Sequence, residues 1–194
     1  MTKRSGLVVF LGPSLAAREA RRIGRCTVLP PARQGDVWRA LALRPRVIAL
    51  VDGVFESVPS VWHHEILDAL DAGVAVFGGA SMGALRAAEL ARHGMVGVGR
   101  IFGWYRDGVL ADDSEVALLH AGPELGFRSL TLPLVEVRRA AEVAVAERAI
   151  RRVLRLLHRA GHRRVLALDL APEGLGVRVA KVIVPGLLLS DLLR

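Results

Sequence analysis

At 194 residues and 52% apolar composition, the chain can bury one good core, or one domain with an appended piece. A single cysteine, Cys26, excludes an internal disulfide. With no cysteine or histidine pair at ligand spacing, no metal site is expected. The net charge of +8 is unevenly spread: residues 1–46 carry +8, residues 47–137 carry −7 and residues 138–194 carry +7. An acidic middle, with no aromatic residues among the arginine clusters, argues against nucleic acid and for solvated helix faces or an acidic protein partner.

Along the chain, Leu7 to Leu11, Val47 to Val51 and Val74 to Phe77 are apolar runs of strand length, each followed by a turn signal. Helical patterns lie between them, at Ala16 to Ile23, Val37 to Leu43 and Ser60 to Ala72. In the last, Trp62, Ile66, Ala69 and Leu70 share one side, while His64, Asp68 and Asp71 line the other. After Gly94 the pattern weakens to glycine-rich turns with one short helix at Asp113 to His120. A long arginine-rich helical stretch, with at most one break, then runs from Pro133 to Ala160. Two strand-like runs follow, Val165 to Leu168 and Val177 to Val184. These patterns predict an α/β fold, a mainly parallel sheet with flanking helices in a Rossmann-like arrangement, plus a C-terminal helix and two-strand appendage. The charge shift near residue 138 sets the expected boundary, with a core at 1–140 and an appendage at 141–194. No apolar run approaches the roughly 20 residues needed to cross a bilayer, so no membrane span and a cytoplasmic location are expected.

The stretch most informative about chemistry is VAVFGGASMGALRAAEL, residues 74–90, which reads strand, turn, helix around Gly79-Ala80-Ser81-Met82-Gly83. G-x-S-x-G in that context exposes a serine hydroxyl at the end of a strand, and the helix N-terminus behind it offers N–H groups to a developing oxyanion. Ser81 is therefore a candidate nucleophile, with Gly79, Met82 and Gly83 as turn and oxyanion residues. The same stretch also fits a serine that only caps a helix, or an anion site without bond-making. Three histidines could serve as base: His64, with Asp68 one turn on, or His93 or His120 after the serine. With Asp112 or Asp113, His120 would give the Ser, Asp, His order of α/β-hydrolases, though too few strands precede Ser81 for that fold. Asp52 and Glu56 follow a strand end, where they could hold a cation, order a loop or receive a partner's basic tail; Asp52 could equally form a turn with Gly53. Arg86 and Glu89 lie one turn apart and can pair. Cys26 fits either a sulfur relay or simple burial.

Seven blocks between residues 7 and 139 occur in a fixed order: VVFLGPSL, VLPPARQGDVWRAL, IALVDGVFESVPSVWHHEIL, GGASMGALRAAEL, GMVGVGRIF, YRDGVLADDSEVALLHA and LPLVEVR. Together they resemble the TfuA-like family. The resemblance implies a protein that works beside YcaO enzymes, which use ATP to activate a backbone amide oxygen for replacement by sulfide. It implies hydrolysis of a thiocarboxylated ThiS-like sulfur carrier and support for the YcaO enzyme's hold on its peptide, with no cofactor of its own, since ATP belongs to the YcaO partner. It also implies a Ser-Lys pair. The serine maps onto Ser81, while the lysine's place in Trp62-His63-His64-Glu65-Ile66 is held by His64; His63, Glu65, Arg86 and Glu89 are supporting or binding candidates. A non-catalytic adaptor that docks YcaO and peptide, or a small serine esterase, are the alternative readings. Residues 150–187 resemble the C-terminal end of YcaO proteins, a segment too short for that family's nucleotide site.

Overall fold

Apolar runs of four or five residues form the centre of a parallel sheet in the computed structural model, which describes residues 6–55, 58–159, 166–169 and 180–183. In chain order come β1 (Leu7–Phe10), α1 (Ala17–Ile23), β2 (Thr27–Leu29), α2 (Asp36–Leu41), β3 (Val47–Leu50), α3 (His63–Asp71), β4 (Ala75–Gly79) and α4 (Met82–Leu90). β5 (Val96–Val98), α5 (Arg100–Arg106), α6 (Leu134–Arg159), β6 (Leu166–Asp169) and β7 (Ala180–Ile183) follow. The sheet order is β2-β1-β3-β4-β5 and every neighbouring pair is parallel. This is a doubly wound order that reverses direction between β1 and β3, the point where such folds collect ligand-binding loops. The α/β, Rossmann-like arrangement expected from the sequence is the fold. The chain divides into two compact units, Met1–Val135 and Glu136–Arg194. In the second, β6 pairs antiparallel with β7.

The pleat assigns alternate residues of β1 to opposite faces. Val8 and Phe10 join Ile48, Leu50 and Val76 in a core closed by Val37 and Ala40 of α2, Ile66 and Ala69 of α3, and Met82, Ala87 and Leu90 of α4. Val9 and Leu11 pack on the other face with Ala20 of α1. Each fully buried side chain of the size of Phe10, Ile48 or Ile66 contributes about 1.5–3 kcal/mol, so the α2–α3–α4 face carries most of the stabilisation.

The structure departs from expectation in several places. Trp62 is not a core residue: it precedes α3 and is 49% exposed, and its neighbour Val61 is the one that enters the core, fully buried. The short helix expected at Asp113 to His120 shrinks to a single 3₁₀ turn, Asp113–Glu115, because only Glu115 and Val116 there are buried. The three-residue edge strands β2 and β5, and α5, were not read from the sequence. The long helix runs unbroken from Leu134 to Arg159.

Candidate functional site

Ser81 stands where β4 turns into α4, and the turn is sharp because Ala80 takes a left-handed backbone with φ +59°. That conformation costs a non-glycine residue about 1–2 kcal/mol, so the strain sits one position before the serine. The motif's two glycines are unequal. A Cβ on Gly79 would lie 3.1 Å from the Val98 carbonyl oxygen, tight but tolerable, whereas a Cβ on Gly83 would overlap the Leu50 carbonyl oxygen. Gly83 also donates its N–H to Val51 O at 3.1 Å, fixing the first turn of α4 to the end of β3. The Met82 side chain is buried against Gly53, and the amides of Ser81 and Met82 have no hydrogen-bond partner among the described residues. A hydroxyl beside two unclaimed N–H groups is the arrangement that oxyanion stabilisation needs.

The Ser81 hydroxyl donates to the Val116 carbonyl at 3.3 Å. Val116 belongs to a small apolar cluster with Leu110 and Val135, against which Phe55, Ile101, Trp104 and Tyr105 pack. Tyr105 donates to the Asp112 carbonyl at 2.9 Å. Burial, then the carboxylates of Glu115, Asp113, Asp112 and Glu89, push its pKa up to about 12, so the phenol remains a donor at physiological pH. The Asp112 carboxylate caps the 3₁₀ turn through the Ser114 amide, which holds its pKa below the ordinary value.

The two adjacent histidines of α3 face differently, since one residue turns a helix by about 100°. His63 reaches α4: its Nε2 lies 2.8 Å from Glu89 Oε2, the oxygen that also receives Arg86 Nη1 at 2.7 Å. Arg86 donates its Nε to Val61 O at 3.0 Å, so this cluster ties α4 to the loop before α3. His64 is exposed and its ring meets Trp62 edge-on at 5.5 Å; no hydrogen bond links it to Ser81 among the described residues. Asp68, the expected orienting carboxylate, receives Trp38 Nε1 at 2.7 Å instead.

Two carboxylates expected at or near the site are buried and committed to backbone. Asp52, 1% exposed, accepts from the amides of Gly12 (2.7 Å) and Ser14 (3.1 Å) and from the Ser14 hydroxyl (2.6 Å), so it ties together the loops after β1 and β3. Glu65, fully buried, accepts from the amides of Gly35 (3.0 Å), Val37 (2.9 Å) and Trp62 (2.7 Å), capping α2 and α3 at once. These sets predict opposite tolerance to amides. Asp52→Asn loses about 1 kcal/mol, because the Ser14 hydroxyl can rotate to accept, whereas Asp52→Ala loses about 3 kcal/mol. Glu65→Gln loses about 2–3 kcal/mol, since three fixed N–H donors leave its NH₂ facing one of them. Urea unfolding midpoints of the three variants measure the contrast.

The remaining candidates lie apart from these contacts. His120 Nδ1 is 2.9 Å from Ala121 O and its ring meets Phe127, with no hydrogen bond to Asp112, Asp113 or Ser81 among the described residues. His93 is exposed in a 3₁₀ turn after α4. Cys26 is half-buried beside Val9 and Leu11. Glu56 and most of the YcaO-like tail lie outside the described residues. Among the described residues no helix is long and apolar enough to cross a membrane.

A doubly wound parallel sheet whose carboxyl end carries a serine on a strained strand-to-helix turn, beside two unclaimed amides, defines the class of protein, an α/β fold with a serine turn of the kind that can face an anion or an acyl group. The family model described as TfuA-like protein matches residues 52–163, more than half of the chain, and the chain belongs to that family. Membership puts it in the TfuA and YcaO setting of peptide-backbone thioamidation. No curated protein matches the chain.

Proposed function

We propose that the chain hydrolyses the thiocarboxylate of a ThiS-like sulfur carrier and so delivers sulfide to a YcaO enzyme, whose hold on its peptide it also supports. The observation that carries this reading is Ser81 on its strained turn, hydroxyl held by Val116 O, beside the open Ser81 and Met82 amides. Ser81 Oγ attacks the thiocarboxylate carbon, the oxygen bears the charge of the tetrahedral adduct opposite the amides, and the C–S bond breaks. The serine proton leaves with sulfur as hydrosulfide. Water then cleaves the acyl ester, returning Ser81 and a carrier carboxylate. His64, at the family's lysine position, is the proposed base; a neutral imidazole can take the serine proton near neutral pH.

The second reading, an adaptor that docks YcaO and peptide without turnover, is favoured by one observation. His64 rests on Trp62 without a hydrogen bond to Ser81. The test is sulfide release from a thiocarboxylated ThiS-like carrier by the purified chain, beside Ser81→Ala and His64→Ala. Release that disappears in both variants supports a Ser-His hydrolase; no release above buffer, with binding to a YcaO enzyme retained, establishes the adaptor.

A further inference from the structure

We propose that Arg100 forms an anion-recognition site beside Ser81 that takes the terminal thiocarboxylate or carboxylate of the acyl substrate, an inference that rests on the hydrolase reading above. Three observations support that position. In the parallel pair of β4 and β5, Gly79 stands opposite Val98, so Ser81 and Arg100 each lie two residues beyond that match, at the carboxyl end of adjacent strands spaced about 4.8 Å apart. Next, α5 packs against both α4 and β4, the two elements that the Ser81 turn joins. Finally, the Arg100 guanidinium lies 5.5 Å from the centroid of the Trp104 ring, and Trp104 packs in the cluster of Val116, whose carbonyl holds the Ser81 hydroxyl.

The state of Arg100 is what points to a ligand. Its Nε is buried and makes no hydrogen bond, and no carboxylate pairs with its guanidinium among the described residues. Burying a guanidinium N–H without a partner costs free energy, and the Trp104 face offsets only part of that. On α4 itself, the Arg86 guanidinium is already engaged, donating to Glu89 and to the Val61 carbonyl. Arg100, unlike Arg86, keeps its guanidinium without a carboxylate partner among the described residues and can receive an anion.

The chemistry of the substrate favours such a residue. A thiocarboxylate is already an anion, so its carbon is a poor electrophile, and attack by a serine oxygen adds further negative charge to the adduct. A guanidinium fork that neutralises the bound group lowers both penalties. Arg100 binds and positions; Ser81 makes and breaks the bonds.

The experiment uses the full chain and three short peptides ending in glycine thiocarboxylate, glycine carboxylate and glycinamide. In the Ser81→Ala background, titration calorimetry should show the two anionic peptides binding at least about tenfold tighter than the amide. Adding Arg100→Gln should abolish that preference, and Arg100→Lys should keep part of it. Thermal unfolding of each variant identifies any that fail to fold, in which case Arg100→Lys alone decides by the size of its preference. A preference unchanged by either substitution overturns the proposal. Sulfide release by Arg100→Gln with wild-type kcat and KM overturns the site and leaves the hydrolase reading standing. An Arg100-dependent preference in a wild-type chain that releases no sulfide overturns the hydrolase reading and leaves the anion site standing.

Discussion

Ser81→Ala lowers sulfide release from a thiocarboxylated carrier by about 10³-fold or more while moving stability by less than about 1 kcal/mol. The two halves of this expectation have separate causes. Loss of the hydroxyl removes the attacking atom, and the neighbouring amides alone can polarise but not replace it. The fold loses only one 3.3 Å hydrogen bond to Val116 O at a half-buried position, and Ala80, whose left-handed backbone makes the turn, is untouched. Sulfide assay and urea unfolding on the same preparation read both quantities. A stable variant that still releases sulfide at the wild-type rate removes Ser81 from the chemistry.

Gly83→Ala destabilises the chain by about 3 kcal/mol or more, although it adds one methyl group at the start of a helix where alanine has the better propensity. The added Cβ would overlap the Leu50 carbonyl oxygen, and behind that oxygen lie backbone atoms of β3 rather than a flexible side chain. Relief requires α4 to lift away from the sheet, which breaks the Gly83 N–H to Val51 O bond and loosens Met82, Ala87 and Leu90 in the core. Gly79→Ala, by contrast, meets the Val98 carbonyl oxygen at 3.1 Å and serves as the mild control. Comparison of the two unfolding midpoints checks the ordering; equal midpoints would show that the helix can retreat at little cost.

The central strands were legible in the sequence because each is a continuous apolar run, fully buried on at least one face, and is closed by a turn signal. β2 and β5 were not, because an edge strand of three residues buries too little to impose a pattern: Thr27, Val28 and Leu29 are all half-buried, and Val96 and Val98 are about half exposed. α5 was hidden by Gly99 and Gly103, which read as turns when the partner helix α4 is unknown. At the site, the serine turn could be read from spacing alone, since five consecutive residues determine it. The roles of Asp52 and Glu65 could not, because their hydrogen-bond donors lie up to 40 residues away along the chain. Arg100 left no local sign either; its significance depends on the register of β4 with β5. The difference between His63 and His64 is one step around a helix, and only the position of α4 decides which of them meets Glu89.

The contact of Gly83 with the end of β3 also divides labour within the site. With its first turn bonded to Val51 and pressed against Leu50, α4 cannot slide or tilt to suit an incoming acyl group, so the position of the Ser81 backbone is an invariant of the scaffold. On the proposed hydrolase reading, adjustment to different carriers falls to the segment 112–116, which meets Ser81 through the Val116 carbonyl; Glu115 and Val116 anchor it in the interior while Asp112, Asp113 and Ser114 are exposed. On that reading, substitutions at the exposed positions Asp113 and Ser114 retune what the serine accepts without disturbing the sheet.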